Sequence, residues 1–179
     1  MTEFKTEVIK QLKRELPKLG NHKKAIGAQA YMKDIAPFLG VMTPERRSLV
    51  KSILSELPVP TSDELAATVR ALWKLEEREY QYAANDILGK YHMQLDKKFL
   101  ADHCEYLIKT KSWWDTVDGL GSVVVSPLTM KYPAIFSALA IPALCAADNT
   151  ELSQPVGMAG HLHFHCPLPI ILNRNQTNL

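Results

Sequence analysis

Two tryptophans and two carboxylates stand close together near the middle of the chain, and their spacing could support chemistry on a charged ligand. The stretch reads Lys109-Thr110-Lys111-Ser112-Trp113-Trp114-Asp115-Thr116-Val117-Asp118. Ser112 followed by Asp115 predicts a helix start with Ser112 as its N-cap. Trp114 and Asp118 are four residues apart and would share one face of that helix. A flat π surface with a carboxylate one turn beyond it, preceded by lysines, suits a ligand that is anionic at its edge and cationic at its reacting centre.

The same residues have a simpler interpretation. Tryptophans at helix starts are usually core residues, and carboxylates in a first turn usually cap the helix. The two aspartates are nevertheless expected to differ. Asp115 should serve the helix start, so Asp115→Asn should cost about 0.5–2 kcal/mol as a lost cap or dipole interaction. Asp118 lies on the face of Trp114 and is the candidate for chemistry.

Composition and charge fit an ordinary soluble globular chain. The 179 residues are 46% hydrophobic and 22% charged, with a formal net charge of +2. All but one of the 21 lysines and arginines fall in residues 1–133, which gives that part a net charge of +3 against its 17 acidic residues. This is weak evidence for a polyanionic partner. Three widely spaced cysteines form no CxxC motif and indicate a reducing cytoplasm, and no apolar run approaches the roughly 20 residues of a membrane span.

Hydrophobic periodicity predicts a succession of helices and no strand pairs. The predicted helical ranges are 3–17, 22–34, 43–54, 62–73, 76–90, 99–108 and 113–124, with one more possible from 127 to 140. Helices of this length joined by short turns favour an all-α fold, an α-solenoid of HEAT-like antiparallel helix pairs. Trp73 and Tyr80 are predicted to be core residues. Segment 76–79 is predicted to be either a surface segment or a salt bridge between repeats.

The pattern changes near residue 140. Residues 1–140 are predicted to form the helical domain, and residues 141–179 an irregular, poorly packed tail that indicates a disrupted reading frame or an altered end. The segment 161–166, His-Leu-His-Phe-His-Cys, could chelate a metal as an extended strand, but no complementary Cys/His pair accompanies it. We therefore expect no metal site.

A second basic cluster follows another predicted helix start. Thr43 as N-cap and Pro44 at the first helical position are typical of an N-terminus. Arg46, Arg47 and Lys51 follow and could contact phosphates without sequence preference, together with Lys109 and Lys111 from the tryptophan stretch. The alternative is a solvated helix face.

Taken together, these motifs resemble the AlkD-like DNA alkylation repair family, the HEAT-like-repeat DNA glycosylases. The matching stretches lie between about residues 25 and 133, in the family's order and spacing: Tyr31-Met32-Lys33, Phe38 to Arg47, Leu72-Trp73, Glu77 to Gln81, and Thr110 to Asp118. The family's later arginine and tryptophan have no counterpart, since the one arginine after Arg78 is Arg174 and no tryptophan follows Trp114.

The resemblance implies a basic concave groove that grips duplex DNA and excises N3- and N7-alkylated purines, with no cofactor. It implies that Trp114 and Asp118 form the catalytic pair. It implies that Tyr31 lies near the lesion and that Thr43 and Arg47 contact the DNA backbone. Trp113 is counted as a further DNA-binding residue. It also implies a monomer in the cytoplasm, associated with the nucleoid.

Two other classes of function compete with a glycosylase. A non-catalytic HEAT-like module would bind DNA or protein through its concave surface without releasing a base. A protein-interaction scaffold would show no salt-dependent DNA binding.

Overall fold

The structure is a computed structural model that describes residues 3–132, and over that range the chain forms seven helices and no strand. The helices are α1 (Glu3–Glu15), α2 (His22–Tyr31), α3 (Thr43–Ser55), α4 (Ser62–Trp73), α5 (Arg78–Lys90), α6 (97–109) and α7 (114–131). Short 3₁₀ turns occupy Leu16–Leu19 and His92–Gln94. The prediction of an all-α, solenoid-like fold is confirmed.

Helix α7 differs from the prediction at both ends. It begins at Trp114 with Trp113 as its N-cap, so Ser112 does not cap it. It also continues to Lys131, where a separate helix had been expected to start at Pro127. A π-helical turn at Gly121–Val125 lies directly before the proline. Because Pro127 has no N–H for the carbonyl four residues earlier, a widened turn lets the helix pass the proline without ending.

Helix α5 is the central element of the packing. It packs against α4, α3 and α7, and α1 packs against α3 and α4. The largest core side chain is Trp73, which is fully buried, and its indole N–H donates to the carbonyl oxygen of Thr110 at 2.7 Å. Tyr80 is also buried, at 4% exposure. The prediction that these two aromatic residues belong to the core is confirmed.

The connection from α2 to α3 is held by hydrogen bonds with α5 in addition to the packing of Val41 and Leu39 against the core. The buried carboxylate of Glu79 accepts hydrogen bonds from the backbone N–H groups of Leu39, Gly40 and Val41, at 3.0, 2.8 and 3.2 Å. The N–H of Arg78 donates to the carbonyl of Pro37 at 3.0 Å. Gly40 has a φ of 77°, and a Cβ there would collide with the backbone of α2, so only glycine fits. The loop is thereby fixed beside the start of α3.

Several predictions fall outside the described residues. The boundary near residue 140, the irregular tail 141–179 and the histidine segment 161–166 all lie there and stay predictions. Within residues 3–132, no group of three or more potential ligand side chains is placed to hold a metal ion. In the same range, none of the helices has the length and apolar character needed to cross a bilayer.

Candidate active site

Several of the residues that could do chemistry meet at a shallow depression of about 230 Å³, but Asp118 is not among the residues that line it. Helix α2 contributes Tyr31, the start of α3 contributes Thr43 and Arg46, α5 contributes Tyr82, and the start of α7 contributes Trp114. These residues are separated by as many as 83 positions in sequence, so it is the tertiary fold, with α3 and α7 packed on α5, that brings them together.

Two aromatic rings stand at this depression and remain open to solvent. Tyr31 is 73% exposed and Trp114 is 47% exposed. Their ring centroids are 6.4 Å apart and their planes cross at 83°, an edge-to-face arrangement. The neighbouring Trp113 is half-buried, and its indole N–H is buried without a hydrogen-bond partner in the described part of the chain. The two adjacent tryptophans therefore have different surroundings, as predicted, but the cause is the extended backbone of Trp113 before the helix and not helical spacing.

Asp118 lies one turn beyond Trp114 on α7 and is exposed. Both side chains are on the solvent side of the helix, whereas Thr116 and Leu120 between and after them are buried. An exposed carboxylate one turn from an exposed indole is the arrangement that the spacing predicts.

Asp115 has a different environment from the one predicted for it. Its carboxylate forms a two-point ion pair with Arg78, at 3.1 Å from Nε and 2.5 Å from a terminal nitrogen, and the two side chains are only 8% and 1% exposed. It also accepts from the hydroxyl of Tyr82 at 2.5 Å and from the N–H of Thr116 at 2.7 Å. Asp115 does act at the helix start, as predicted, by accepting from the N–H of Thr116. Its main partner, however, is the buried guanidinium of Arg78 on α5.

Burial shifts the titration of Tyr82. Removal from water raises the pKa of the Tyr82 hydroxyl, and the hydrogen bond to the Asp115 carboxylate raises it further. The hydroxyl therefore remains a proton donor at any physiological pH.

The basic residues of α3 separate into buried and exposed members. Arg46 is 6% exposed, its Nε lies 2.8 Å from Asp86, and its guanidinium lies 5.0 Å from the centre of the Tyr82 ring. The prediction that Arg46 lies on a phosphate-facing surface does not fit this position, because its charge is already neutralised inside the fold. Arg47 has a side chain 68% exposed and reaches the other oxygen of Asp86 at 3.2 Å. Thr43 and Lys51 are exposed.

The two lysines that precede α7 also differ. Lys109 is exposed and pairs with Glu105 at 2.5 Å. Lys111 adopts a left-handed φ of 54°, and its amine donates to the carbonyl oxygen of Leu75. Burial, and then the nearby Arg78 guanidinium, lower the pKa of the Lys111 amine. The predicted single basic face of Arg46, Arg47 and these lysines is therefore wrong for Arg46 and Lys111, which are turned toward the protein.

Sequence reasoning missed the polar residues of α5 that position the site. Segment 76–79 was predicted to be either surface or an inter-repeat salt bridge. The salt-bridge interpretation is correct for Arg78, but Glu79 is 2% exposed and binds backbone N–H groups. The one available signal was an arginine and a glutamate side by side, followed by Tyr82 and Asp86 at helical spacing.

Comparison with known proteins identifies the family of the chain. The family model for DNA alkylation repair enzymes matches residues 12–141. Among solved structures, the chain is similar to a predicted DNA alkylation repair enzyme from Enterococcus faecalis, with 28% identity and a TM-score of 0.54. That match covers 71% of this chain and 56% of the solved chain, so this chain spans a little over half the length of that protein. No curated protein matches the chain. Because the family model covers well over half of the sequence, the chain belongs to the DNA alkylation repair enzyme family.

Proposed function

We propose that the chain is a DNA glycosylase that excises cationic N3- and N7-alkylated purines from duplex DNA. The observation that carries the proposal is the pair of exposed rings, Tyr31 and Trp114, 6.4 Å apart, with the exposed Asp118 one turn beyond the indole. Family membership supports a role in DNA alkylation repair. We further propose that the protein acts as a monomer in the cytoplasm, on nucleoid DNA.

The proposed reaction does not require the protein to activate the leaving base. An N3- or N7-alkylpurine carries a positive charge and is already a good leaving group, so no acid is needed to protonate it. As the bond between the sugar and the base breaks, positive charge develops on the sugar. The Asp118 carboxylate stabilises that charge and assists the attacking water as a general base. The Trp114 face provides a surface for the cationic sugar or base edge.

The basic surface supplies the grip on the backbone. Arg47, Lys51 and Lys109 are exposed, and Thr43 is exposed at the start of α3, where its hydroxyl can donate to a phosphate oxygen. Contacts of this kind carry no sequence information and weaken as salt rises. The proposal therefore includes DNA binding that depends on salt and not on sequence.

The test is release of 7-methylguanine from methylated duplex DNA by the purified chain. Asp118→Asn is nearly isosteric, so folding and DNA affinity should survive, while the release rate should fall about 10²-fold or more because the charge that stabilises the transition state is gone. Asp102→Asn removes another exposed aspartate, on α6, and should leave the rate unchanged.

Two outcomes would contradict the proposal. If Asp118→Asn releases the base at the unmodified rate, Asp118 is not the catalytic carboxylate. If the wild-type chain shifts methylated DNA in a mobility assay but releases no base, the chain is a DNA-binding module and not a glycosylase.

A further inference from the structure

The Tyr82 side chain connects the two ends of the candidate site. Its hydroxyl donates to Asp115 at the start of α7, and its ring faces the guanidinium of Arg46 at the start of α3. The ring also contacts Phe38 in the loop between α2 and α3, with centroids 6.5 Å apart. One residue of α5 thus contacts every element that lines the depression apart from α2.

The start of α7 is fixed by hydrogen bonds on both sides of Trp114. Asp115, directly after it, is held by Arg78 and Tyr82. Trp113, directly before it, accepts a bond from the Thr116 hydroxyl at 3.2 Å, and that hydroxyl itself accepts from Arg78 at 3.0 Å. Because the Trp114 indole is about half exposed, packing alone does not orient it, and its position follows from this backbone.

The four bonds to Asp115 are not equivalent. Arg78 is required for stability, since its guanidinium is buried and the aspartate is its only carboxylate partner within residues 3–132. The Tyr82 hydroxyl shares one carboxylate oxygen with Arg78 Nε, and it approaches from the helix that also carries the Asp86 pair. The tyrosine hydroxyl therefore adds a third side-chain bond at the carboxylate, beside the two from Arg78, and through it a further link to the first turn of α7.

We propose that Tyr82 is a positioning residue that sets where the Trp114 ring and the Asp118 carboxylate stand relative to the DNA-contacting start of α3. It touches neither base nor sugar and acts through Asp115. The part that concerns base release rests on the proposed function, whereas the part that concerns the orientation of Trp114 does not.

The variant is Tyr82→Phe, which keeps the ring over Arg46 and removes only the hydroxyl. Its matched control is Tyr80→Phe, the same change on the same helix at a residue of the hydrophobic core. Both proteins are labelled with 5-fluorotryptophan, and the resonance of Trp114 is identified among the three tryptophans by its loss in Trp114→Phe. Circular dichroism confirms that each variant is folded at the temperature of measurement.

The fluorine spectrum should separate positioning from general stability. In Tyr82→Phe the Trp114 resonance should shift or broaden while that of the buried Trp73 stays in place. In Tyr80→Phe both should remain as in the wild type. An unmoved Trp114 resonance in Tyr82→Phe, or an equal movement in Tyr80→Phe, overturns the proposal.

Kinetics provide a second readout. The rate of base release is measured under single-turnover conditions with saturating protein. In Tyr82→Phe this rate should fall about tenfold, while the Kd for DNA should stay within about twofold of the wild-type value. The reason is that misplacing a catalytic group slows the chemical step without weakening binding. A weaker Kd with an unchanged rate overturns the proposal. If the wild-type chain releases no base, the proposed function fails, and the fluorine spectrum still decides the role of Tyr82.

Discussion

Replacing Glu79 by glutamine should destabilise the protein far more than so small a change implies. One carboxylate oxygen of Glu79 accepts from Gly40 and Val41, and the other accepts from Leu39. The side chain is 2% exposed, so water cannot substitute for it. A glutamine has one acceptor oxygen, and its NH₂ group would face a third N–H donor.

The cost follows from counting these bonds. Keeping the amide oxygen on Gly40 and Val41 turns two charge-assisted bonds into neutral ones, and each loses about 1 kcal/mol. The N–H of Leu39 is left buried without an acceptor, which adds about 1–3 kcal/mol. Glu79→Gln should therefore lower the free energy of unfolding by about 3–5 kcal/mol.

Urea unfolding followed by circular dichroism measures this loss, with Glu76→Gln as the control. Glu76 lies three residues earlier and is exposed, so its change should stay within about 0.5 kcal/mol. Amide hydrogen exchange should become faster at Leu39, which loses its acceptor, and to a lesser degree at Gly40 and Val41, in Glu79→Gln alone. If Glu79→Gln costs no more than Glu76→Gln and those amides stay protected, Glu79 does not hold the loop.

Three further predictions concern ionised groups. Asp115→Asn should lower the free energy of unfolding by about 3–5 kcal/mol, because it leaves the buried Arg78 without its carboxylate partner. This loss is above the range expected for a helix cap, and a loss under about 1 kcal/mol in urea unfolding would refute the prediction. Arg47→Ala should lower the slope of log affinity against log salt by about one, and an unchanged slope removes Arg47 from the phosphate contacts. Burial, and then Arg70, lower the pKa of His103 below its ordinary value of 6.5, so the unfolded chain binds the proton first. The free energy of unfolding should therefore decrease as pH falls through about 6.5, and it should decrease less in His103→Asn than in the wild type. If the free energies of the two proteins depend on pH equally, His103 is not the cause.

Local patterns were sufficient to predict the helices. The helix Ser62–Trp73 has the predicted bounds because Thr61 and Glu64 form a capping box at its start, and such a box is visible in sequence. The start of α7 was predicted one residue early, because a contact from a distant part of the chain overrides the local pattern there. The Ser112–Asp115 pattern has the form of a cap, but Asp115 is occupied by Arg78, which lies 37 residues earlier.

The site could be predicted only in part. The shared face of Trp114 and Asp118 follows from helical spacing, and both residues are exposed as expected. The approach of Tyr31 to Trp114 could not be obtained from spacing, because the two residues lie on helices that are far apart in sequence and meet only in the tertiary fold. Exposure of the arginines was unpredictable for a similar reason. Arg46 and Arg47 are adjacent and both pair with Asp86, but Arg46 also lies over the Tyr82 ring of α5 and is buried, whereas Arg47 remains in solvent.

The long-range polar contacts of α5 have a consequence for synthesis on the ribosome. Arg78 is buried, yet its carboxylate partner is Asp115, which is made 37 residues later. Until that residue has left the exit tunnel, burying α5 would place an unpaired guanidinium in the core, at a cost of several kcal/mol. The first five helices are therefore expected to wait, loosely associated, until the start of α7 emerges. Folding of the described part of the chain should then occur in one late step instead of adding helix pairs one after another.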